Sequence, residues 1–382
     1  MPSTPTSRQL GAERCSAASS ATSAADDAES WITPPPPPAV VNAGSRPNAS
    51  AAALVALLAA LHRSAPSWRE DGVDGTERVY VTAETHSSLA KAARVCGLGA
   101  RALRVVDPTP GTLTMSPDAL DATMAADVAA GLRPVLVCAT VGTTGTGAAD
   151  PVRAIAPVAA EHGAWLHVDA AWAGVAALCP ELRWVVDGVE RADSFCADAH
   201  KWLLTAFDAS LLWLRDASAL PAALSITPEY LRDAATESGR VVDYRDWQVP
   251  LGRRFRALKL WAVLHSYGLS GLREHLRGHV ALAAELASWI RADPGFALAA
   301  PPSLALVCLR VVTGAGPEAD DDASRAVLDR VNASGRALVT STLVDGRYAI
   351  RVAIGGVTTE REHVVALWER LRAEAAAVRA AA

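Results

Sequence analysis

The sequence predicts an α/β protein: a mainly parallel sheet flanked by helices, followed by a smaller C-terminal α+β domain. Three observations carry this expectation. From residue 48 onward, short apolar runs alternate with helix-like stretches, the order expected of strands joined by crossover helices. The run Pro134-Val135-Leu136-Val137-Cys138-Ala139-Thr140 is apolar almost throughout, which suits a strand buried on both faces. The chain has 382 residues, 51% apolar and 20% charged, a globular composition with length for a large core or two domains.

Residues 1–47 read as a disordered Ser/Ala/Pro-rich tail. The five prolines from Pro34 to Pro38 form a stiff polyproline segment within it. Arg8 and Arg14 among Ser, Thr and Ala would suit an organelle transit peptide, but Asp26, Asp27 and Glu29 follow closely and favour simple disorder. Residues 51–63 are Ala/Leu-rich and helical, with Asn48 or Ser50 as N-cap. Strands are expected at 79–82, 102–106, 134–140, 165–169, 194–197 and 210–214, with helices at 87–96, 116–130 and 151–162. Ser116-Pro117 opens the second of these helices, since proline fits the first helical position. A long helical pattern covers 252–276, broken near Gly268, and another covers 279–292. Strands at 304–312 and 348–354 and helices at 321–334 and 358–380 complete the chain. The expected division is a large domain at 48–275 and a small one at 276–382.

A net charge of -5 gives no pull toward nucleic acid or an anionic membrane. No apolar run reaches spanning length, and no charged start precedes an apolar block at the N-terminus. The six cysteines are scattered without a CxxC pair, and Cys138 and Cys196 fall in strand-like runs as buried thiols. A reducing, cytoplasmic setting is the expectation.

The chemistry concentrates in two segments. His167-Val168-Asp169-Ala170-Ala171-Trp172 sets an acid at the end of an apolar run, and Asp198-Ala199-His200-Lys201-Trp202 sets a lysine about thirty residues later. An aspartate that faces a ring nitrogen and a lysine that forms an imine are the two groups a pyridoxal phosphate site requires. Alone, Lys201 reads as a surface lysine and Asp169 as a strand-end turn residue. As a pair, Asp169 keeps a pyridine nitrogen protonated, and the small side chains of Ala170 and Ala171 let a flat ring approach the backbone. His86, at a helix start, could stack on the ring face opposite Asp169 or do nothing special. Asn48-Ala49-Ser50 opens a helix whose N–H groups suit a phosphate. Thr140, Gly142, Thr143 and Thr144 lie at the carboxyl end of a buried strand, where α/β ligand sites gather. Tyr244 lies between two helical regions, where a mobile loop could deliver a proton, or a packing tyrosine could sit. His275 and His279 are four apart, but no third ligand is evident, so no metal is expected and a solvated helix face is the preferred reading.

Together these residues resemble the group II PLP-dependent decarboxylases, specifically the aromatic-L-amino-acid decarboxylases that include plant tyrosine and tryptophan decarboxylases. The resemblance runs from about residue 48 to the C-terminus. It rests on HVDAAWAG at 167–174, ADSF at 192–195, HKWLL at 200–204 and DYRDWQVPLGRRFRALKLW at 243–261. It implies the type I fold of PLP-dependent transferases, pyridoxal 5'-phosphate as cofactor, and decarboxylation of tyrosine, dopa, phenylalanine or tryptophan by a homodimer. It makes Lys201 the imine lysine, Asp169 the partner of the ring nitrogen and His86 the stacking group. Ala49, Ser50, Thr140, Ala171 and His200 would lie around the cofactor, and Tyr244 would return a proton to the substrate Cα. In related aldehyde synthases a phenylalanine replaces this tyrosine, so Tyr244 favours plain amine formation. Three departures stand out. Asp198 replaces a family asparagine that helps hold the phosphate, which sets a carboxylate near a dianion. The long N-terminal region of the family is largely absent, giving an N-terminally shortened member. The Gly-rich approach to the first helix is reduced to Asn42-Ala43-Gly44-Ser45-Arg46-Pro47. The alternatives to an active decarboxylase are a degenerate or truncated paralogue with weak cofactor binding, and an aromatic aldehyde synthase.

Overall fold

The computed structural model describes residues 39–41, 49–226 and 241–381. Among the described residues, eleven strands form two sheets: β1 Ala39–Val41, β2 Glu77–Val81, β3 Leu103–Val105, β4 Arg133–Thr140, β5 Trp165–Asp169, β6 Ser194–Asp198 and β7 Ser210–Leu214 in the first, and β8 Phe296–Leu298, β9 Leu306–Val311, β10 Thr340–Val344 and β11 Arg347–Ala353 in the second. The longer helices are α1 Ala49–Ser64, α2 Ser87–Val95, α3 Pro117–Ala129, α4 Val152–Glu161, α5 Ala257–Ala292, α6 Pro317–Ala333 and α7 Arg361–Ala381.

The large sheet has the order β1-β7-β6-β5-β4-β2-β3. The pairs from β3 through β6 are parallel, and β7 and β1 close one edge antiparallel. The sheet is therefore mainly parallel. Residues 39–41 pair with β7, although the sequence assigns them to the tail. Three residues of little polarity at a sheet edge leave no periodicity to read.

Alternation along β4 sorts its side chains between two cores. Leu136 and Cys138 pack with α1 and α2 residues such as Leu57, Leu61 and Leu89. Val137 and Ala139 pack on the other face with Leu120, Met124 and Ile155 from α3 and α4. Both faces are dry, which is why β4 reads as an unbroken apolar run. Truncating the fully buried Leu57 to alanine would cost about 2–5 kcal/mol.

The small sheet, order β10-β11-β9-β8, is antiparallel throughout and packs against α6. β8 and β10 escape the sequence reading because β8 has three residues and β10 is mostly exposed and polar. Helix α5 departs from ideal geometry at Gly268 (φ 60°, ψ 175°), where the sequence predicts a break. It then runs on through 276–279, where the sequence predicts an interruption. Leu272, Leu276, Ala283, Leu286 and Ile290 form one buried stripe across that point, so packing favours continuity.

The strand registers position the site. Thr140 pairs with Asp169 across β4 and β5, and Asp169 pairs with Cys196 across β5 and β6. The carboxyl ends of these neighbouring parallel strands thus present Thr140, Asp169 and Cys196 side by side, with Asp198 two residues further along β6.

Candidate active site

A cavity of about 370 Å³ opens at these strand ends. Its wall includes His86, Thr140, Asp169, Ala171, Lys201 and Arg351. Five of the six are residues that the sequence singles out, drawn from segments more than a hundred residues apart.

Asp169 ends β5 and is 6% exposed. Its Oδ1 accepts the Ala171 N–H at 3.1 Å and faces the Cys196 thiol at 3.6 Å. Behind it lies a buried polar chain. Ser194 Oγ accepts from Trp165 Nε1 at 2.7 Å and lies 2.8 Å from His167 Nδ1. The imidazole Nε2 lies 3.9 Å from Cys196 Sγ. Burial pushes the His167 pKa down to about 4, against the opposing pull of Asp169, so this ring is neutral near pH 7. Burial likewise pushes the Cys138 and Cys196 thiols well up, and Asp169 adds to both shifts.

Thr140 ends β4. Its N–H donates to Asp150 Oδ2 at 2.7 Å, and Asp150 Oδ1 accepts from Met115 N–H at 2.7 Å. Burial raises the Asp150 pKa to about 6 even though both N–H bonds favour the carboxylate. The Thr140 hydroxyl is buried without a hydrogen-bond partner and has the weakly polar Cys138 thiol as a neighbour. A buried hydroxyl left unpaired at a cavity wall marks a place where a ligand's polar atom is missing. Beyond it the chain turns at Gly142 (φ +84°), where a Cβ would come within 2.5 Å of Ala173 Cβ. Only glycine fits this turn.

His86 is the N-cap of α2, its Nδ1 accepting the Ser88 N–H at 3.2 Å. That bond fixes the ring while it lines the cavity. Lys201 sits in the short helix Ala199–Trp202 directly after β6. Its Nζ lies 3.2 Å from Asp198 Oδ2. The next residue, Trp202, is buried, stacks on Trp172 at 5.0 Å and donates to His279 Nδ1 at 3.0 Å. Lys201 is thus anchored on a rigid element.

A model of the pyridoxal-dependent decarboxylase conserved domain matches residues 40–312. The chain belongs to this decarboxylase family. It is 43% identical over 332 residues to a phenylacetaldehyde synthase of Arabidopsis thaliana, covering 86% of this chain and 67% of the relative. It is 44% identical over 318 residues to tyrosine decarboxylase 4 of Petroselinum crispum, covering 81% of this chain and 63% of the relative. A crystal structure of Oryza sativa TDC with PLP and tryptamine superimposes with a TM-score of 0.84 at 41% identity, covering 89% of this chain and 70% of that one. The chain spans about two thirds of the length of these curated relatives. The type I fold of PLP-dependent enzymes is therefore present.

The cavity fits pyridoxal 5'-phosphate, the decarboxylase family's cofactor. It joins a lysine, a buried carboxylate, an alanine beside it and an unpaired hydroxyl. Sequence reasoning missed Arg351, which β11 brings to the same wall. Arg351 Nε donates to Thr144 O at 2.6 Å, and burial lowers its pKa. Its signal was present as a lone charge inside Tyr348-Ala349-Ile350-Arg351-Val352-Ala353-Ile354.

Other expected residues lie apart from the cavity wall. His200 turns away, its Nδ1 hydrogen-bonded with the Ala209 backbone and its ring edge-on to Phe207 at 4.8 Å. Asp198 is fully buried beneath Lys201. Tyr244 is 59% exposed and packs edge-on against Trp247 at 5.4 Å. Ala49 and Ser50 begin α1, but their side chains lie outside the described residues. His275 and His279 correct the solvated-face reading. His279 is buried under Trp202, with its pKa pushed down to about 4 by burial and by His275.

Proposed function

We propose that the chain decarboxylates an aromatic L-amino acid to the corresponding amine and carbon dioxide, using pyridoxal 5'-phosphate, as a homodimer in the cytoplasm. The observation that carries this reading is the convergence of Lys201, Asp169, His86 and the unpaired Thr140 hydroxyl on one cavity. The identity to tyrosine decarboxylase 4 supports the substrate class.

When bound, the cofactor supplies an electron sink for the pair left on the substrate Cα as the carboxylate leaves. Lys201, whose amine borders the cavity, would hold the cofactor through its aldehyde carbon. Asp169 holds a proton at the ring nitrogen, and the buried chain behind it keeps the carboxylate in place. His86 bounds one side of the cavity, and Thr140 donates its free hydroxyl to the ligand. Arg351 adds a cation that attracts anionic groups. Tyr244 delivers a proton to Cα after its segment closes over the site.

An exposed apolar band supports the homodimer. Phe207, Phe255 and Trp261 are 76%, 77% and 58% exposed, and Phe207 touches His200 beside the site. Aromatic patches of this kind mark interfaces. No helix among the described residues is long and apolar enough to cross a membrane. We also infer a division of the chain near residues 275 and 276, with α5 shared between the two parts.

The deciding experiment is the absorbance spectrum of purified protein with added pyridoxal 5'-phosphate, beside Lys201→Ala. A visible-edge band that needs Lys201, followed by carbon dioxide and amine from tyrosine, dopa, phenylalanine or tryptophan, is expected. A missing band at saturating cofactor would identify a degenerate paralogue. The phenylacetaldehyde synthase relative favours one second reading, aldehyde formation. Aldehyde and hydrogen peroxide in place of amine would establish it.

A further inference from the structure

Asp198 lies between two groups of the site. Its Oδ1 accepts a very short hydrogen bond from Ser210, and its Oδ2 faces Lys201 Nζ at 3.2 Å and His200 Nε2 at 3.8 Å. The carboxylate is fully buried, whereas the lysine side chain is 35% exposed and borders the cavity. We propose that Asp198 is a latch on Lys201, holding it as a paired ammonium in the cofactor-free protein and slowing covalent attachment of the cofactor. This rests on the reading that Lys201 carries pyridoxal 5'-phosphate.

The physical reason is the state of the nitrogen. Attachment requires a free amine. The ammonium first releases one proton to solvent. The nitrogen lone pair then bonds to the aldehyde carbon, and the aldehyde oxygen leaves as water with the two remaining nitrogen protons. The ion pair with a buried carboxylate 3.2 Å away must break before the nitrogen can reach the aldehyde. Removing that carboxylate's charge releases the tie. The other charged or titratable groups around Lys201 are His200 on its own short helix, His86, Asp169 and Arg351 on the cavity wall, and Cys196 on β6. The first four remain in place in Asp198→Asn, and the Cys196 thiol stays protonated because burial holds its pKa well up. Asparagine keeps an oxygen that accepts from Ser210, so the shape of the site is retained.

The test is the rate at which cofactor-free full-length protein takes up pyridoxal, a probe without phosphate. Borohydride reduction at timed points and mass analysis of the Lys201 peptide give that rate from pH 6.5 to 10. Asp198→Asn should load about 5–10-fold faster at pH 7. Equal rates overturn the latch. Labelling by an acetylating reagent supplies an independent check, because Lys91 is exposed and serves as a reference within the same molecule. Asp198→Asn should raise the reactivity of Lys201 relative to Lys91. An unchanged ratio overturns the proposal. If Lys201 takes up no pyridoxal in either protein at any pH, the cofactor-lysine reading itself fails and the latch falls with it.

Discussion

Asp169 and Tyr244 are both assigned to the chemistry, yet their surroundings differ in kind. Asp169 is 6% exposed and is held by a backbone N–H, a thiol and a buried His-Ser-Trp chain behind them. Tyr244 is 59% exposed and leans on Trp247 alone among the ring contacts described. A group that must hold a cofactor in one geometry profits from rigid support. A group that acts once substrate is bound belongs on a segment that moves. Within one chain, Asp169 thus has its supports in place, whereas Tyr244 is left largely open.

The largest effect should come from the rigid side. Asp169→Asn is expected to lower kcat by about 10³-fold, because the ring nitrogen loses the charge that keeps it protonated. The Lys201-dependent absorbance band should survive, since attachment does not need Asp169. A loss of less than tenfold in steady-state assays would mean that the supported carboxylate is not the electronic partner.

The support itself has a pH signature. His167 has a folded pKa of about 4 against an ordinary value of 6.5, so unfolding takes up a proton between those limits. Its stabilising contribution is full above pH 6.5 and falls as pH drops toward 4, by up to about 3 kcal/mol. Asp150 has the opposite sign. Its raised pKa of about 6 makes its contribution largest below its ordinary value of 3.8 and smaller as pH rises through 6. The two oppose each other between pH 6 and 4, so the wild-type stability curve is flattened there. His167→Gln removes one side of this balance. Urea midpoints should then rise from pH 6 to pH 5 relative to wild type, and parallel curves would show that His167 is not buried as a neutral ring.

The same contrast explains what the sequence reveals. Thr140, Asp169 and Lys201 were legible because each follows an apolar strand and parallel sheets gather ligands at strand carboxyl ends. Cys196 and Ser194 were legible as strand residues, but not as supports for Asp169. That role depends on register between β5 and β6, which a single strand does not encode. Arg351 was missed because its distance to Thr144 arises from packing of the small sheet on the large one, across 207 residues of chain. His279 was misassigned because a helix pattern does not show which neighbour covers it. Trp202 does so from 77 residues away.

On the exposed side, Tyr244→Phe removes the phenol that is proposed to return a proton. Amine formation should fall by about 10²-fold, with aldehyde and peroxide rising in its place. The Lys201 absorbance band should not change. Unaltered amine output in a chromatographic assay would remove Tyr244 from the reaction.

The smallest effect concerns the surface next to that segment. Leu258, Trp261, Leu264 and Tyr267 are 55%, 58%, 45% and 48% exposed and recur every third residue along α5. Each lies about 60° round the helix from the last, so together they make a broad exposed apolar surface, and a charge placed in it must be desolvated if another chain covers it. Trp261→Glu is expected to raise the dissociation constant of the proposed homodimer about 30-fold, a typical loss for a central aromatic contact. Sedimentation velocity across a concentration series reads this directly. The monomer formed should keep Lys201-dependent absorbance, because Asp169 and its supports lie within one chain, yet lose amine formation as Tyr244 loses its cover. A monomer with full activity would show that the exposed side is complete without a partner and would erase the distinction between the two regions. An unshifted dimer would assign the interface to another face and leave closure of the Tyr244 segment as the remaining source of cover.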